Sequence, residues 1–498
     1  LTVSAALTVT VGSVYLYLAM PKGFMPTQDT GAIYVRTITT SNISFTAMTN
    51  LQRSVAAAIL QDPAVLGLNS YIGTDNGSVL SNGEMLVGLK PLDQRRMTIQ
   101  QVIERLRTRL AKVEGVRTFF TPVQDLALGV QGGASRYQYT MTASDPEELA
   151  RWANTMRQAM NGLKATLTDV IASNEVTGLQ AGLEIDRMRA AAMGVTPLSI
   201  DNTLYDAFGQ RQIRTIYLPH NFSRVVLEAG PAMQADTATL DKVFVPGTQG
   251  GQVPLTALTR LGRSHGAMWM VHSGQFPAIT ISFDVVPGIS IGQAIASIRA
   301  LERAAHLPDD VHAEFTGEAG EATKTGTQQL LLLLAAIFAV YIVLGVLYES
   351  YAHPFTILTT LPPAIFGALL ALRIANIEFT LITSIGCILL IGMVMKNAIM
   401  LVDFALQAER QDGLSPQDAI LLAARLRVRP IIMTTLVAVL SAVPLAIGTG
   451  AGFELRQPLG VAIVGGLLAS QLLTLYTTPV IYLLVTRLRW RRRVVATA

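Results

Sequence analysis

Charge and cysteine are what this sequence lacks. Charged residues make up 14% of the 498, where a soluble globular chain carries about 25%. So large a deficit excludes a chain bathed throughout in water and points to segments that never meet it. A single cysteine, Cys387, excludes any intrachain disulfide and leaves the redox compartment open. Enzyme signatures are also missing. There is no phosphate-binding Gly-rich loop with its Lys, so direct nucleotide drive is not expected. His265 and His272 stand seven apart with no acid or thiolate at zinc spacing, and read as surface or packing residues. The net charge is only +4. Much of the positive charge sits in Arg425, Arg427 and Arg429 and in the tail from Arg487 to Arg493. Basic residues beside apolar runs mark membrane topology rather than a nucleic-acid surface, so no nucleic-acid partner is expected.

What is present is apolar. Hydrophobic residues reach 50%. Six runs approach the ~20 residues that cross roughly 30 Å of hydrocarbon, namely 1–20, 330–348, 355–374, 379–404, 431–449 and 458–485. Their internal Gly and Pro residues are tolerated where neighbouring helices re-satisfy the backbone. The basic tail, 486–498, is expected in the cytoplasm. Counting back, 405–430 is a second cytoplasmic loop, both ends are cytoplasmic, and 21–329 lies outside. The outside loops at Arg373 and Arg456 carry one basic residue each, which agrees. The chain opens on Leu1 inside an apolar run without a basic lead, and reads as a sequence cut at a span rather than a signal peptide.

The insert 21–329 repeats one pattern, a strand, an amphipathic helix and a strand. It reads so at 32–39, 46–60 and 65–73, again at 137–143, 146–160 and 168–174, and a third time at 278–285, 291–304 and 311–315. Such units suggest α+β subdomains of ferredoxin type. The Gly- and Pro-rich stretch 178–274 reads as a strand-rich module inserted into a split subdomain. The fold class is therefore an α-helical membrane bundle of six transmembrane helices with a large α+β insert.

Three polar residues bear on function. Lys396 lies in an otherwise uncharged apolar run, where translocon scales put a central Lys at about 2.5–3.5 kcal/mol unfavourable. It is either snorkelling to the cytoplasmic interface or a buried ammonium answering carboxylates on another helix. No run here offers a mid-membrane acid, since Glu349, Glu378 and Asp403 all lie near run ends. Arg427 and Thr434 are seven apart, two turns on one helical face. They read as an interfacial anchor and a packing residue, or as the mouth and a hydroxyl step of a proton path.

Several motifs, in order, resemble the C-terminal half of resistance–nodulation–division (RND) efflux permeases. Gly392-Met-Val-Met-Lys-Asn-Ala-Ile-Met-Leu-Val-Asp-Phe-Ala405 resembles their tenth helix, and Arg427-Val-Arg-Pro-Ile-Ile-Met-Thr-Thr435 the start of their eleventh. Gly23-Phe-Met-Pro-Thr-Gln-Asp29 resembles the exit of the seventh, and Tyr341-Ile-Val-Leu-Gly-Val-Leu-Tyr-Glu-Ser-Tyr351 the eighth and its following loop. Arg136-Tyr-Gln-Tyr-Thr140, Ala207-Phe-Gly-Gln-Arg-Gln-Ile213 and Glu454-Leu-Arg-Gln-Pro-Leu-Gly460 look closest to the MdtB/MdtC multidrug type.

The resemblance implies a proton/substrate antiporter for amphiphilic small molecules in the Gram-negative inner membrane, multi-pass, with a large periplasmic domain. It implies no enzyme activity and no cofactor, the proton gradient being the drive. Implied partners are an N-terminal half, a trimer (uniform or mixed with a paralogous subunit), a periplasmic adaptor and an outer-membrane channel. Lys396, Arg427 and Thr434 match the family's proton relay, and the acids that answer the lysine belong to the N-terminal half. The implied plan is a first transmembrane helix at 1–20 and a first porter subdomain at 21–136. A second porter subdomain is split between 137–183 and 278–329 around a docking module at 184–277. Five transmembrane helices then fill 330–485. Tyr71, Phe119 and Phe120 are the substrate-pocket candidates, beside a switch loop near 71–83 that is nearly free of aromatics. Metal-exporting RND permeases, a Sec-type translocation accessory protein and a non-transporting remnant are the alternatives. Met48, Met85 and Met97 form no clear ligand set for the first.

Overall fold

Polar side chains decide where the insert's amphipathic helices begin. The computed structural model describes residues 2–496 except 74–79, 127–133, 176, 235–236, 249, 268–269, 449 and 451. An apolar helix, α1 (Thr2–Ala19), leads into β1 (Ala32–Ile38), α2 (Phe45–Leu60), β2 (Val65–Ile72), β3 (Asn82–Leu89), α3 (Ile99–Leu110) and β4 (Arg117–Pro122). Ser44 Oγ accepts the Ala47 N–H at the head of α2. Thr98 and Gln101 cap α3 reciprocally. One face of α3 buries Ile99, Val102, Ile103, Leu106 and Leu110 against Val55 and Ile59 and the sheet residues Ile33, Val35, Met85, Val87 and Phe120. Each such side chain stabilises by roughly 1.5–3 kcal/mol when fully buried.

The strand order is β2-β3-β1-β4 with every neighbour antiparallel. The sequence pattern showed one strand–helix–strand unit here, but β3–α3–β4 is a second, completing a ferredoxin-type fold. That half went unread although α3 carries a regular apolar stripe at 99, 102, 103, 106 and 110; glycines interrupt the strand pattern of β3 before it.

The second subdomain has β5 (Tyr137–Thr142), α4 (Pro146–Gly162), β6 (Leu167–Ala172), β7 (Phe276–Val285), α5 (Ile291–Ala305) and β8 (His312–Thr316). Its order, β6-β7-β5-β8, repeats that of the first. Tyr139, Met141, Leu149, Met156, Ile281 and Phe283 lie at its centre. The second and third sequence repeats are thus the two halves of one fold.

Residues 176–269 form a separate compact unit. It contains the strand pair Thr177–Ile185 and Thr259–Ala267, the hairpin Arg211–Tyr217 and Phe222–Leu227, and two helices the sequence pattern did not show, Arg187–Ala192 and Pro197–Phe208. Val195, Ile200, Val245, Leu255 and Leu258 are its core.

The remaining helices are α6 (Gly317–Tyr348), α7 (Ala352–Leu358), α8 (Leu361–Ile374), α9 (Leu381–Gln411), α10 (Pro416–Ile447) and α11 (Phe453–Ala496). With α1, and with α7 and α8 taken together, they give six segments long and apolar enough to cross a membrane among the described residues. Three expectations change. The run at 355–374 is broken at Thr359–Thr360, because Pro362 and Pro363 lack the N–H that would continue a helix and start a new one instead. The loop expected at 405–430 is helical except at 412–415. Ser415 caps α10 and Pro416 opens it, so Arg425, Arg427 and Arg429 sit on a helix. The tail expected from 486 continues α11 to Ala496, and its basic side chains beyond Arg487 lie outside the described residues.

Small residues let α8 and α11 touch. A Cβ on Gly367 would fall 2.5 Å from the Gly465 carbonyl oxygen, and one on Gly465 would fall 2.3 Å from Ala371 Cβ. Gly367 and Ala371 on one helix face Gly465 and Ala469 on the other, the small-xxx-small pattern that brings membrane helices close.

Asp29, the last residue of the 23–29 motif, is a staple. Its carboxylate accepts from the Arg95 guanidinium, from the Ile99 N–H at 2.9 Å and from the Gly31 N–H at 3.3 Å. Both side chains of the ion pair are almost fully buried. Removing one partner of a buried pair costs about 3–5 kcal/mol. Asp29→Ala should therefore lower the unfolding midpoint of the purified protein sharply, with Asp29→Asn falling between; an unchanged midpoint would show that the pair carries no net stability.

Candidate functional site

The apolar helices hold few hydrogen-bonding side chains, and several of them meet. Lys396 lies on an exposed stripe of α9 with Ile385, Leu389, Gly392 and Asp403, residues that share one helical face. The other face, including Leu390, Val394, Met395, Ala398 and Leu401, is buried. No acid among the described residues forms an ion pair with Lys396.

Asn397, the next residue, turns toward the other helices. Its Nδ2 donates to Thr435 Oγ1 on α10 at 3.0 Å, and Thr435 Oγ1 donates to Gln471 Oε1 on α11 at 2.7 Å. Thr434 Oγ1 lies 3.4 Å from Asn397 Oδ1 and 3.1 Å from the Ile431 carbonyl oxygen. Thr434 is exposed and Thr435 buried. Arg427, two turns from Thr434 on α10, lays its guanidinium over the Phe404 ring at 4.8 Å. Its Nε is buried without a hydrogen-bond partner. Lys396 and Thr434 are thus both linked to Asn397, one by sequence and one by a hydrogen bond. Arg427 stands apart, about 10 Å along the helix from Thr434 at 1.5 Å per residue.

The three pocket candidates do not share a surface. The registers pair Tyr71 with Glu84, Glu84 with Arg36 and Arg36 with Phe119, one row across all four strands. Directly paired residues project on the same face and neighbours along a strand on opposite faces. Tyr71 and Phe119 therefore lie on the sheet face away from the helices, with the Arg36–Glu84 ion pair at 2.7 Å between them, but Tyr71 is exposed and Phe119 is buried. Phe120 points the other way, into the core with Val35 and Met85. Residues 74–79 of the expected switch loop lie outside the described residues.

A second cluster joins the subdomains to the apolar helices. Arg136, at the head of β5, donates from Nε to Glu318 Oε2 at 2.6 Å and from Nη2 to Glu318 Oε1 at 2.5 Å. Its Nη1 donates to Thr27 Oγ1 at 2.5 Å and its backbone N–H to Asp284 Oδ1 at 3.4 Å. Arg107 of α3 also reaches Asp169 of β6, binding one subdomain to the other. A cavity of about 460 Å³ adjoins these groups, lined among others by Phe24, Glu104, Phe120, Glu378 and Glu454. Burial raises the carboxyl of Asp284, with the nearby Asp169 charge adding and Arg136 and Arg107 opposing, to about 7. Burial likewise raises Asp169 and Glu378.

Six helices long and apolar enough to cross a membrane among the described residues, two ferredoxin-type subdomains between the first and the rest, and a polar cluster among the helices have the plan of a membrane protein. The chain belongs to the AcrB/AcrD/AcrF family, whose model matches residues 1–486. The family comprises RND efflux permeases of the inner membrane, transporters rather than enzymes. The fold is similar to a crystal structure of a heavy metal efflux pump in one crystal form, with a TM-score of 0.83 at 21% identity over 98% of this chain and 51% of that one. A second crystal form gives a TM-score of 0.82 at 21% identity, over 97% and 49% of the two chains. The chain therefore spans about half the length of the solved structures it matches.

Asn397, Thr435 and Gln471 escaped the sequence reading, although an amide within an apolar run is the same kind of signal as Lys396. Arg136 and Asp284, 148 residues apart, carried no local signal of their meeting.

The raised carboxyl of Asp284 has a definite sign. It binds its proton more tightly folded than unfolded, so its contribution favours the folded state most below the usual carboxylate range. That contribution is lost as pH rises from about 4 to about 7. Asp284→Asn cannot titrate, so its unfolding midpoint should fall less than wild type across this window. Parallel midpoint curves for the two proteins would contradict the assignment.

Proposed function

We propose that this chain is the C-terminal half of a proton-driven RND permease of the MdtB/MdtC type that exports amphiphilic small molecules. The observation that carries the reading is Lys396, on the exposed stripe of α9 within its otherwise uncharged stretch 381–402, beside a hydroxyl and amide cluster. An N-terminal half would cover that stripe and bring the carboxylates that the ammonium answers. Across 100 mV one proton supplies about 2.3 kcal/mol, and a carboxylate that alternately pairs with Lys396 and takes up a proton turns that energy into helix rearrangement. Thr434 offers the relay hydroxyl, and Arg427, held over Phe404, a fixed positive charge toward the cytoplasmic end. In this reading 21–136 is the first porter subdomain, 137–183 with 278–329 the second and 184–277 the docking module. The working assembly is a trimer with a periplasmic adaptor and an outer-membrane channel.

A second reading, metal export, is favoured by the similarity of the fold to the heavy metal efflux pump. Two of the candidate soft ligands speak against it: Met48 and Met85 are completely buried in the interior of the first subdomain.

The test is flux in proteoliposomes with an imposed pH gradient, using the permease assembled from this chain and its N-terminal counterpart. Lys396→Met keeps length and apolar fit, so the protein should insert at wild-type abundance while coupled flux of an amphiphilic dye collapses. Undiminished flux from Lys396→Met would sink the relay assignment. Transport of monovalent copper or silver but not dyes would favour the metal reading.

A further inference from the structure

The polar cluster contains an ordered row whose far end lies on α11. Thr434 Oγ1 can donate to Asn397 Oδ1, Asn397 Nδ2 donates to Thr435 Oγ1, and Thr435 Oγ1 donates to Gln471 Oε1. Every donor in the row points the same way. Gln471 Nε2, at the end, is buried without a partner in the protein. A cavity of about 20 Å³ is lined there by Asn397, Ser470, Gln471 and Thr474, and Ser470 and Thr474 face each other at 3.1 Å. That is room for one water, which needs about 10–15 Å³.

We propose that Gln471 is a positioning residue of the coupling site. The row Thr434–Asn397–Thr435–Gln471 acts as a reversible file of hydrogen bonds that carries the state of the Lys396 stripe to α11. The proposal rests on the proton-coupled reading above. Each hydroxyl in the row can donate or accept, and each amide presents a donor or an acceptor according to which way it is turned. Turning both amides over together reverses every bond: Gln471 donates to Thr435, Thr435 to Asn397, and Asn397 to Thr434. Turning only Asn397 leaves two amide oxygens facing the single Thr435 proton, and turning only Gln471 makes both amides donate to Thr435 and leaves its proton without an acceptor in the row, an unsatisfied buried group either way. The row therefore has two internally consistent states, and mutual polarisation along a hydrogen-bonded chain favours both over mixtures.

The two states present different faces to the exposed stripe. In the first, Thr434 gives its proton to Asn397 and offers lone pairs outward; in the second, it accepts from Asn397 and its proton is free for the Ile431 carbonyl oxygen, 3.1 Å away, or for an acceptor on the stripe. A charged ammonium is a donor only and favours the first, whereas an ionised carboxylate brought to the stripe is an acceptor only and favours the second. At the other end Gln471 exchanges the group it turns toward the Ser470–Thr474 cavity. Amides do not hand protons on, so no proton travels along the row. What passes is orientation.

The test uses the assembled permease in proteoliposomes with an imposed pH gradient, reading dye flux and dye affinity separately. Gln471→Leu and Thr435→Val should each lower coupled flux about tenfold, with affinity unmoved. The double variant should be no worse than either single, because one break already silences the row. Thr435→Ser, which keeps the hydroxyl, should exceed Thr435→Val by about tenfold; this pair also decides the matter if Gln471→Leu does not insert. Full flux in Gln471→Leu, losses that multiply to about a hundredfold in the double variant, or equal fluxes in Thr435→Ser and Thr435→Val would overturn the proposal. If Lys396→Met abolishes flux while Gln471→Leu keeps it, only this inference fails. Wild-type flux that ignores the pH gradient overturns the parent reading and this one with it.

Discussion

A hydrogen-bonding side chain inside an apolar helix must find its partner within the protein, because hydrocarbon offers none. That constraint shapes the helical part of this permease. Asn397, Thr435 and Gln471 join α9, α10 and α11. Tyr482 donates to Glu409 at 2.7 Å, joining α11 to α9 again. Ser13 reaches the Pro362 carbonyl oxygen at 3.0 Å and ties α1 to α8. These few bonds fix which faces turn inward, and so leave Lys396 and Thr434 turned outward. The lysine is thus held in register with the hydroxyl by its neighbour in sequence rather than by contacts of its own.

The same economy operates where the subdomains meet the helices. Thr27 follows α1, Glu318 stands in the first turn of α6, and Arg136 and Asp284 close the ends of two paired strands. One guanidinium thereby connects the segment that follows α1 and the first turn of α6 to one sheet. The near-neutral carboxyl of Asp284 makes the junction sensitive to the pH on the insert's side of the membrane.

Much of this was legible beforehand, and the misses have physical causes. Composition and run length located all six apolar segments, and the period-two and period-3.6 patterns located three strand–helix–strand units. The fourth was missed although α3 shows its apolar stripe at 99, 102, 103, 106 and 110 in the sequence, because the glycines of β3 weaken the strand signal that precedes it. The loop assigned to 405–430 was bounded by the ends of the apolar runs, whereas α9 continues to Gln411 and Arg425, Arg427 and Arg429 lie on a capped helix that begins at Pro416. Lys396 announced itself by its cost. Asn397 and Gln471 did not, since an amide among apolar residues is cheaper and its partner lies on another helix. Phe119 and Phe120 looked equivalent in sequence, and strand register puts them on opposite faces of the sheet, both buried.

The central claim is that transport through this protein is driven by protons exchanged at the Lys396 and Thr434 face. The most direct measurement is the substrate-dependent electrical current of the assembled permease on a supported membrane, recorded as the imposed pH gradient is reversed. The account predicts a current that changes sign with the gradient and vanishes when protons are equilibrated by an ionophore. A substrate-dependent current of unchanged sign and size under both gradients would contradict it.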